Sequence, residues 1–185
     1  MKHLSLYPTV EVDELDYPEE VESLSLSSPA LKFFTDFHHV APMVIQSDTP
    51  AVEAYRLMRL SHVRMKFVVG RFSEFIGVVC ADDLTERSIV MKVSEGYTRE
   101  TIPVSELMTL KRDMTALDFD QVSKADIAEV ISALKQSGQQ HCLVVDQKTH
   151  RVRGIFSASD ISRKLHLPID IQSRSSFYKV FAATG

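Results

Sequence analysis

Apolar residues in this chain are grouped in two ways, as short continuous runs and as stripes that recur every three or four positions. In the first half, Thr49-Pro50 precedes such a stripe. This pattern predicts a helix with Thr49 as its cap and Pro50 at its first position. Asp82 is expected to open a further helix. Short apolar runs around these helices predict strands at Met43–Ile45, Phe67–Val69 and Phe75–Cys80.

The second half of the chain repeats this order of elements. Ser123 is predicted to cap a helix, with Asp126 as its capping-box partner. Ser137-Gly138 marks the end of that helix, because glycine adopts the left-handed conformation that stops a helix. The apolar stripe of the helix consists of Ile127, Val130, Ile131 and Leu134. Strands are predicted at Ala116–Phe119, Leu143–Val145 and Val152–Phe156.

A duplicated unit explains why the two halves agree. Ser61–Val69 aligns with Ser137–Val145, and Gly77–Leu84 aligns with Gly154–Ile161, so that glycine meets glycine and aspartate meets aspartate. Each copy is predicted to run strand, helix, strand, strand, helix. Because one such unit leaves faces of its sheet and helices uncovered, two copies are expected to cover each other. The predicted fold class is α+β, with two pseudo-symmetric β-α-β-β-α repeats packed as one module.

These patterns divide the chain into five segments. Residues 1–39 are an N-terminal arm, with a short helix that begins at Ser28-Pro29 and reaches about Phe37. The remaining segments are a first repeat at residues 40–93, a polar linker at 94–103, a second repeat at 104–166 and a C-terminal tail at 167–185.

Composition and charge narrow the class of protein. Of the 185 residues, 44% are hydrophobic and 25% are charged, which is typical of a soluble globular protein. The formal net charge of −4 provides no large cationic field for a phosphate backbone, so nucleic-acid binding is not expected. The acidic run Glu11–Glu22 is either a solvated arm or an acidic docking tail.

The cysteines and the apolar runs indicate a cytoplasmic protein. Cys80 and Cys142 are too few for a disulfide framework, and both lie in apolar runs where a small buried hydrophobic residue is expected. The first ten residues lack the pattern of a signal peptide, and the apolar runs are too short to span a bilayer. We therefore expect no membrane insertion.

A seven-residue motif ends the last predicted strand of each copy. It is Gly154-Ile155-Phe156-Ser157-Ala158-Ser159-Asp160 in the second copy and Gly77-Val78-Val79-Cys80-Ala81-Asp82-Asp83 in the first. With the segment Val104–Thr109, which resembles the usual start of a repeat, these motifs resemble the CBS domain, named after cystathionine beta-synthase. Pairs of these domains form what is called a Bateman module. The resemblance covers about Val40 to Leu165. It departs from the family at Cys80, where a hydroxyl residue is usual, and at a proline that many members carry near the start of the second strand.

The motif has a chemistry that suits an adenosine nucleotide. An aspartate at a helix start can accept hydrogen bonds from both ribose hydroxyls, and the helix N-terminus offers N–H groups to a phosphate. The resemblance implies that Ser157 contacts the ribose-phosphate and Asp160 the ribose hydroxyls, with Asp83 in the latter role in the other cleft. Gly154 is expected to let a ligand approach the backbone closely.

Each of these assignments has a structural alternative. Ser157 and Asp160 could instead cap the helix that they precede, and Asp82 and Asp83 could do the same in the first copy. Because a thiol is a poor hydrogen-bond partner, Cys80 makes the first cleft the weaker site, which is either occupied or degenerate. His141, on a strand that lines the cleft in the family, either contacts the ligand or is a partly buried histidine. Arg64 either meets a phosphate or lies in solvent.

The resemblance implies a regulatory sensor of AMP, ADP or ATP, with S-adenosylmethionine as a further candidate and no metal required. It also implies a homodimer, and the effector is expected to be another protein. The alternative is a structural dimerisation module that has lost ligand binding. An enzyme is not expected, because the sequence has no phosphate-binding loop, zinc-ligand spacing or nucleophile with familiar partners.

Overall fold

The computed structural model describes residues 4–6, 8–10, 13–16 and 22–171 as two sheets covered by helices. The α-helices are α1 (Ala51–Leu60), α2 (Glu86–Ser94), α3 (Phe119–Val122), α4 (Ile127–Ser137) and α5 (Ala158–Leu165). The strands are β1 (Thr35–Asp36), β2 (Val44–Gln46), β3 (Met65–Val69), β4 (Phe75–Cys80), β5 (Thr109–Leu110), β6 (Ala116–Asp118), β7 (His141–Asp146) and β8 (Arg151–Ser157). Within the described ranges, each helix is too short or too polar to cross a bilayer.

The two four-stranded sheets share one plan. One sheet has the strand order β2-β3-β4-β5, and the other has the order β6-β7-β8-β1. In each sheet, the first strand of the repeat runs parallel to the second, and the second runs antiparallel to the third. The predicted fold of two pseudo-symmetric repeats is confirmed.

Each sheet takes its outermost strand from the segment ahead of the other repeat. β1, which precedes the first repeat, pairs antiparallel with β8 of the second. β5, which leads into the second repeat, pairs antiparallel with β4 of the first. The repeat pattern does not predict this exchange, because a strand of two residues is too short to show a period.

Two glycines allow the exchanged strands to approach. A Cβ atom at Gly77 would lie 2.3 Å from the carbonyl oxygen of Thr109, and one at Gly154 would lie 2.2 Å from that of Thr35. These distances are far inside van der Waals contact, and the obstructing atoms belong to the backbone. The glycine at the head of each motif is therefore required by strand pairing.

The exchanged segments also hold the starts of the opposite helices. The backbone N–H of Ala51, the first residue of α1, donates to the carbonyl of Ile102 at 2.8 Å. The N–H of Ile127, the first residue of α4, donates to the carbonyl of Ser28 at 3.0 Å. Such N–H groups have no partner within their own helix, so these bonds stabilise the helix starts.

Buried side chains form three clusters. The first belongs to the first repeat and includes Met58, Val68, Val79, Ile102 and Val104. The second belongs to the second repeat and includes Phe33, Val130, Leu134, Phe156 and Ile161. The third lies between the two sheets and consists of Phe67, Val78, Leu143 and Ile155, with partly buried side chains around them. The predicted apolar stripe of α4 is fully part of the second cluster.

Several predicted helix starts are wrong by a few residues. α1 begins at Ala51 with Pro50 as its N-cap, so Thr49 lies outside the helix. The N-cap of α4 is Asp126, whose carboxylate accepts from the N–H of Glu129 at 3.0 Å, whereas Ser123 ends α3. The predicted stop is confirmed, since Gly138 is left-handed with φ 65°.

Two other predicted helices are replaced by tighter turns. The helix expected from Ser28-Pro29 is a 3-10 helix at Ala30–Phe33 that ends before β1. The helix expected from Asp82 is a 3-10 helix at Ala81–Leu84, after which Thr85 caps α2. Several residues near each helix start have side chains that can cap it, and the sequence alone does not show which of them is the N-cap.

Only part of the two terminal segments is described. In the acidic run Glu11–Glu22, residues 13–16 and Glu22 are exposed, and Glu22 pairs with Lys32. The tail is described as far as Ile171, which is buried against the second cluster. Residues 172–185 lie outside the described residues. Cys80 and Cys142 are not joined in a disulfide; Cys142 is buried and Cys80 is half-buried.

Candidate ligand-binding site

The second motif carries β8 directly into α5. Ser157 is the last residue of β8 and the N-cap residue of α5. Its hydroxyl oxygen lies 2.8 Å from that of Ser159, and among the described residues its side chain does not cap the helix. The alternative that Ser157 caps α5 through its side chain is therefore not realised, and the first N–H of the helix, that of Ala158, donates to the carbonyl of Gln140 at 2.9 Å.

Asp160 lies in the first turn of α5 beside a cavity. Its side chain is 40% exposed and accepts a hydrogen bond from the guanidinium of Arg163. The cavity has a volume of about 250 Å³. It is lined by Phe33, Thr35, Asp160, Arg163 and Lys164. Phe33 and Thr35 come from the segment ahead of the first repeat, so the strand exchange forms one wall of the cavity.

Cationic groups surround this carboxylate. Arg163 is exposed, and the ammonium of Lys164 donates to the carbonyl of Lys32 at 2.7 Å. The same ammonium lies 5.8 Å from the centre of the Phe33 ring, a contact favourable for a cation. The cavity therefore presents one carboxylate and two cations on a partly aromatic wall.

His141 lies across the sheet from the end of β8. It is the first residue of β7 and pairs with Ser157 in the strand register. Burial lowers the pKa of His141 below its ordinary value; the charge of Asp160 opposes this shift, and that of Arg64 adds to it. Arg64 belongs to the first repeat, so groups from both repeats act on this histidine. The neutral imidazole is the favoured form at pH 7.

Arg64 itself is mostly exposed. Its guanidinium lies 3.7 Å from the carboxylate of Asp82, and both side chains are in contact with solvent. An exposed ion pair at this distance is weak. Arg64 therefore lies in solvent, which is one of the two alternatives that the sequence left open. Its positive charge nevertheless contributes to the lowered pKa of His141 in the second repeat.

Gly154 has a structural role in strand pairing. Its backbone is covered by β1, with the Thr35 carbonyl where a Cβ atom would lie. Glycine at this position therefore permits the close approach of a neighbouring strand, and the ligand contact expected of Gly154 stays a prediction.

The first-repeat motif uses its aspartate differently. The carboxylate of Asp83 accepts from the backbone N–H of Cys80 at 2.8 Å, and the Cys80 side chain accepts from the Asp83 backbone in return. This reciprocal arrangement is a capping box, with a thiol in the place of the usual hydroxyl. The two aspartates predicted to have the same role thus have different partners.

Of the residues that line the cavity, the sequence motif contains only Asp160. Thr35 and Phe33 lie more than a hundred residues from Asp160 in sequence and reach it only through the strand exchange. Arg163 was within reach of sequence reasoning, because residues three apart on a helix are neighbours and opposite charges at that spacing pair.

Comparison with known proteins agrees with this geometry. The sequence model of the CBS domain family matches residues 35–89 and 100–167. No curated protein sequence matches the chain.

Solved structures have the same fold at low sequence identity. An uncharacterized conserved protein from Pyrococcus horikoshii is 20% identical, with a TM-score of 0.57 over 80% of this chain and 98% of its own. CBSX2, a CBS-pair protein of Arabidopsis thaliana, is 18% identical in a complex with AMP, with a TM-score of 0.54 over 74% and 94%. The CBS domain pair of protein MJ0100, in complex with 5'-methylthioadenosine and S-adenosyl-L-methionine, is 16% identical, with a TM-score of 0.51 over 74% and 98%. At these identities the similarity shows the fold.

Proposed function

The chain belongs to the CBS domain family, and from that premise we propose that it is a regulatory module that binds AMP, ADP or ATP. The ligand occupies the cleft of the second repeat, and its binding is passed to a partner protein or through a dimer. No metal and no catalytic step are part of the proposal. We also propose a reducing cytoplasmic location, with which two cysteines that form no disulfide are compatible.

The observation that carries the proposal is the position of Asp160 at the edge of a cavity. A partly exposed carboxylate in the first turn of a helix can accept hydrogen bonds from both hydroxyls of a ribose. The cavity of about 250 Å³ is smaller than a typical site for a whole drug-sized ligand, so part of the ligand would remain outside it. CBSX2, whose fold is similar, is a protein solved with AMP bound.

The charges around Asp160 favour a ligand that carries phosphate. Arg163 and Lys164 line the cavity, and Arg64 acts on the same site from the first repeat. The N-terminus of α5 adds N–H groups and the positive end of the helix dipole. S-adenosylmethionine has no phosphate, and its sulfonium would meet this positive field. We therefore rank it behind the nucleotides, although the CBS domain pair of MJ0100 was solved with it.

Isothermal titration calorimetry with AMP, ADP, ATP and S-adenosylmethionine tests the proposal. At least one nucleotide should bind, and Asp160→Ala should weaken it about tenfold or more, since hydrogen bonds to a charged group contribute roughly 1.5–3 kcal/mol. Asp120→Ala is the matched control, because Asp120 is an exposed partner of Lys148 in the same repeat. The nucleotide affinity of Asp120→Ala should equal that of the wild type. If none of the four compounds binds, or if both variants bind equally well, the proposal fails.

One observation favours the alternative, a structural module without a ligand, but only for the first cleft. There the Asp83 carboxylate is bonded to the start of its own helical turn. If no adenosine compound binds in the titration, the whole chain would be a structural module without a ligand.

We propose further that the chain forms a homodimer through the helices of its first repeat. Large apolar side chains are exposed on α1 and α2: Tyr55, Leu57, Leu60, Val90, Met91 and Val93. In the described residues, α4 and α5 expose none of this kind. Exposed apolar side chains that gather on one side of a molecule are typical of an interaction surface. Sedimentation equilibrium of the wild type should give twice the mass of one chain. Val90→Glu should lower this measured mass, because it places a charge in the apolar surface. A wild type that is monomeric at high concentration would contradict the dimer.

A further inference from the structure

We infer that the acidic run Glu11–Glu22, here called the acidic arm, docks on the cations beside the second-repeat cavity and must leave them before a phosphorylated ligand can enter. Three observations carry the inference: an ion pair that fixes one end of the arm, the distribution of charge over the chain and the length of the arm. The competition with a ligand rests on the proposed function, whereas the docking itself does not.

The last residue of the arm lies next to the cavity. The carboxylate of Glu22 forms an ion pair with the ammonium of Lys32. The backbone carbonyl of the same lysine accepts a hydrogen bond from Lys164, which lines the cavity together with Arg163. Lys32 therefore joins the end of the acidic arm to the cationic side of the cavity.

The cations on this side outnumber the carboxylates that neutralise them. Asp160 pairs with Arg163, and Glu22 pairs with Lys32. The ammonium of Lys164 is bonded to a carbonyl, which carries no full charge. Among the residues that the structure describes, no further carboxylate lies within ion-pair distance of these three cations. The cluster therefore retains an excess of positive charge, and a second anionic group is attracted to it.

The acidic arm has the complementary charge. It contains seven of the 25 acidic residues of the chain and no lysine or arginine. Without the arm, the formal charge of the chain would be +3 instead of −4. Of the arm residues that the structure describes, Asp13, Glu14 and Asp16 are exposed and form no ion pair. Their carboxylates are therefore available to the cations beside the cavity.

The arm is long enough to cover these cations. Six residues separate Glu22 from Asp16. At about 3.3 Å per residue, such a stretch can span about 20 Å, which exceeds the width of a cavity of about 250 Å³.

The tether makes weak ion pairs effective. Each exposed ion pair contributes little by itself. Because the arm is held at Glu22, its carboxylates meet Arg163 and Lys164 at an effective concentration of the order of millimolar. A ligand phosphate that binds the same cations has to displace them, so the arm lowers the affinity for that ligand.

Zero-length crosslinking of the full chain with a carbodiimide tests the docking without a ligand. The reagent activates a carboxylate, and an amine in contact with it then forms an amide as the carbodiimide leaves as a urea. Trypsin releases the arm in one peptide, residues 3–32, because no lysine or arginine lies between Lys2 and Lys32. Mass spectrometry should find amides from the arm to Lys164. It should find none to Lys111, an exposed lysine between β5 and β6.

Two changes separate docking from mere proximity. Salt at about 0.5 M shortens the Debye length to about 4 Å, so the yield of amides to Lys164 should fall severalfold. Arg163→Gln removes a neighbouring cation but keeps Lys164, and it should also lower this yield. If no amide to Lys164 forms, or if its yield is unchanged by both salt and Arg163→Gln, the docking is contradicted. Amides that join an isotopically labelled chain to an unlabelled one would contradict docking within one chain.

Calorimetric titration with AMP tests the competition. A variant that combines Asp13→Asn, Glu14→Gln and Asp16→Asn should bind AMP about threefold more tightly than the wild type, or more, because fewer carboxylates then compete for the cations. This gain should vanish at about 0.5 M salt, where the ion pairs of the arm are screened.

A control variant carries the same change of net charge at exposed positions of the body. It combines Asp48→Asn, Glu100→Gln and Asp113→Asn, and it should bind AMP as the wild type does. Equal AMP affinity of the arm variant and the wild type, or equal gains in both variants, would contradict the competition and leave the proposed function intact. If AMP does not bind, the proposed function fails, and the crosslinking still decides whether the arm docks.

Discussion

Asp83 and Asp160 occupy equivalent positions in the two repeats, yet their side chains have different partners. The residue three positions after Asp160 is Arg163, which attracts the carboxylate forward along the helix. The residue three positions after Asp83 is Glu86, a like charge that is itself paired with Arg99. The Asp83 carboxylate turns back and accepts from the Cys80 N–H. The opposite charges of Arg163 and Glu86 thus accompany the different positions of the two carboxylates. The Asp160 carboxylate lines a cavity, and the Asp83 carboxylate caps its own helical turn.

We predict that Asp83→Ala lowers stability without affecting ligand binding. It leaves the half-buried N–H of Cys80 without its acceptor, which should cost about 1–3 kcal/mol of the free energy of unfolding. Urea denaturation of the variant measures this loss. Asp82→Ala is the control, because Asp82 is exposed and makes only a weak ion pair with Arg64, so its effect should stay within about 0.5 kcal/mol. Equal stability of the two variants would contradict the capping role of Asp83.

At the residue scale, the motif predicts Asp160 and Ser157 as ligand contacts, but it does not predict the hydrogen bonds that their side chains form. Spacing in sequence marks which residues share a helix turn, and it does not reveal which hydrogen bond a side chain chooses. The Ser157 hydroxyl bonds to Ser159 instead of the helix backbone. The close packing of strand β1 against Gly154 explains why glycine is required at this position of the motif.

The element that connects fold and site is the short strand β1. It pairs with β8 through two residues, places Thr35 in the cavity wall and is followed by Phe37, whose N–H donates to the Arg153 carbonyl at 3.0 Å. An ion pair between Asp36 and Arg153 supports the same junction. The cavity exists only while this strand is docked on the second repeat.

We predict that Gly154→Ala displaces β1 and opens the cavity. Its Cβ would lie 2.2 Å from the Thr35 carbonyl oxygen and 2.3 Å from the Phe34 ring. Overpacking of this kind costs about 1–3 kcal/mol. Chemical denaturation measures the loss, and faster hydrogen exchange at the N–H of Phe37 shows where it occurs. Arg151→Ala, at an exposed position on the same strand, should change neither quantity. Unchanged exchange in Gly154→Ala would contradict the strand-pairing role.

At the element scale, long periodic segments were predicted well and their ends were not. The stripe of α4 and its glycine stop are confirmed, because apolar periodicity over eleven residues is a strong signal. Thr49 and Ser123 are not the caps, because several side chains near each helix start can cap it. The exchange of β1 and β5 depends on contacts between distant residues, which no local pattern contains.

At the scale of the whole molecule, we propose one ligand site for two nearly equivalent repeats. The sheets meet through the central cluster of Phe67, Val78, Leu143 and Ile155, and each also holds a strand from the segment ahead of the other repeat. A ligand at the second cleft would touch both halves, because Thr35 lies ahead of the first repeat and Asp160 lies in the second. Binding there can therefore change how the repeats are held together, as a sensor requires.

The stoichiometry of AMP binding, measured by equilibrium dialysis on the wild type, Asp160→Ala and Asp83→Ala, tests this asymmetry most directly. The wild type and Asp83→Ala should each bind one AMP per chain, and Asp160→Ala should bind much less than one at the same concentration. Two equivalent sites per chain, or a single site that is lost with Asp83→Ala and kept with Asp160→Ala, would contradict it.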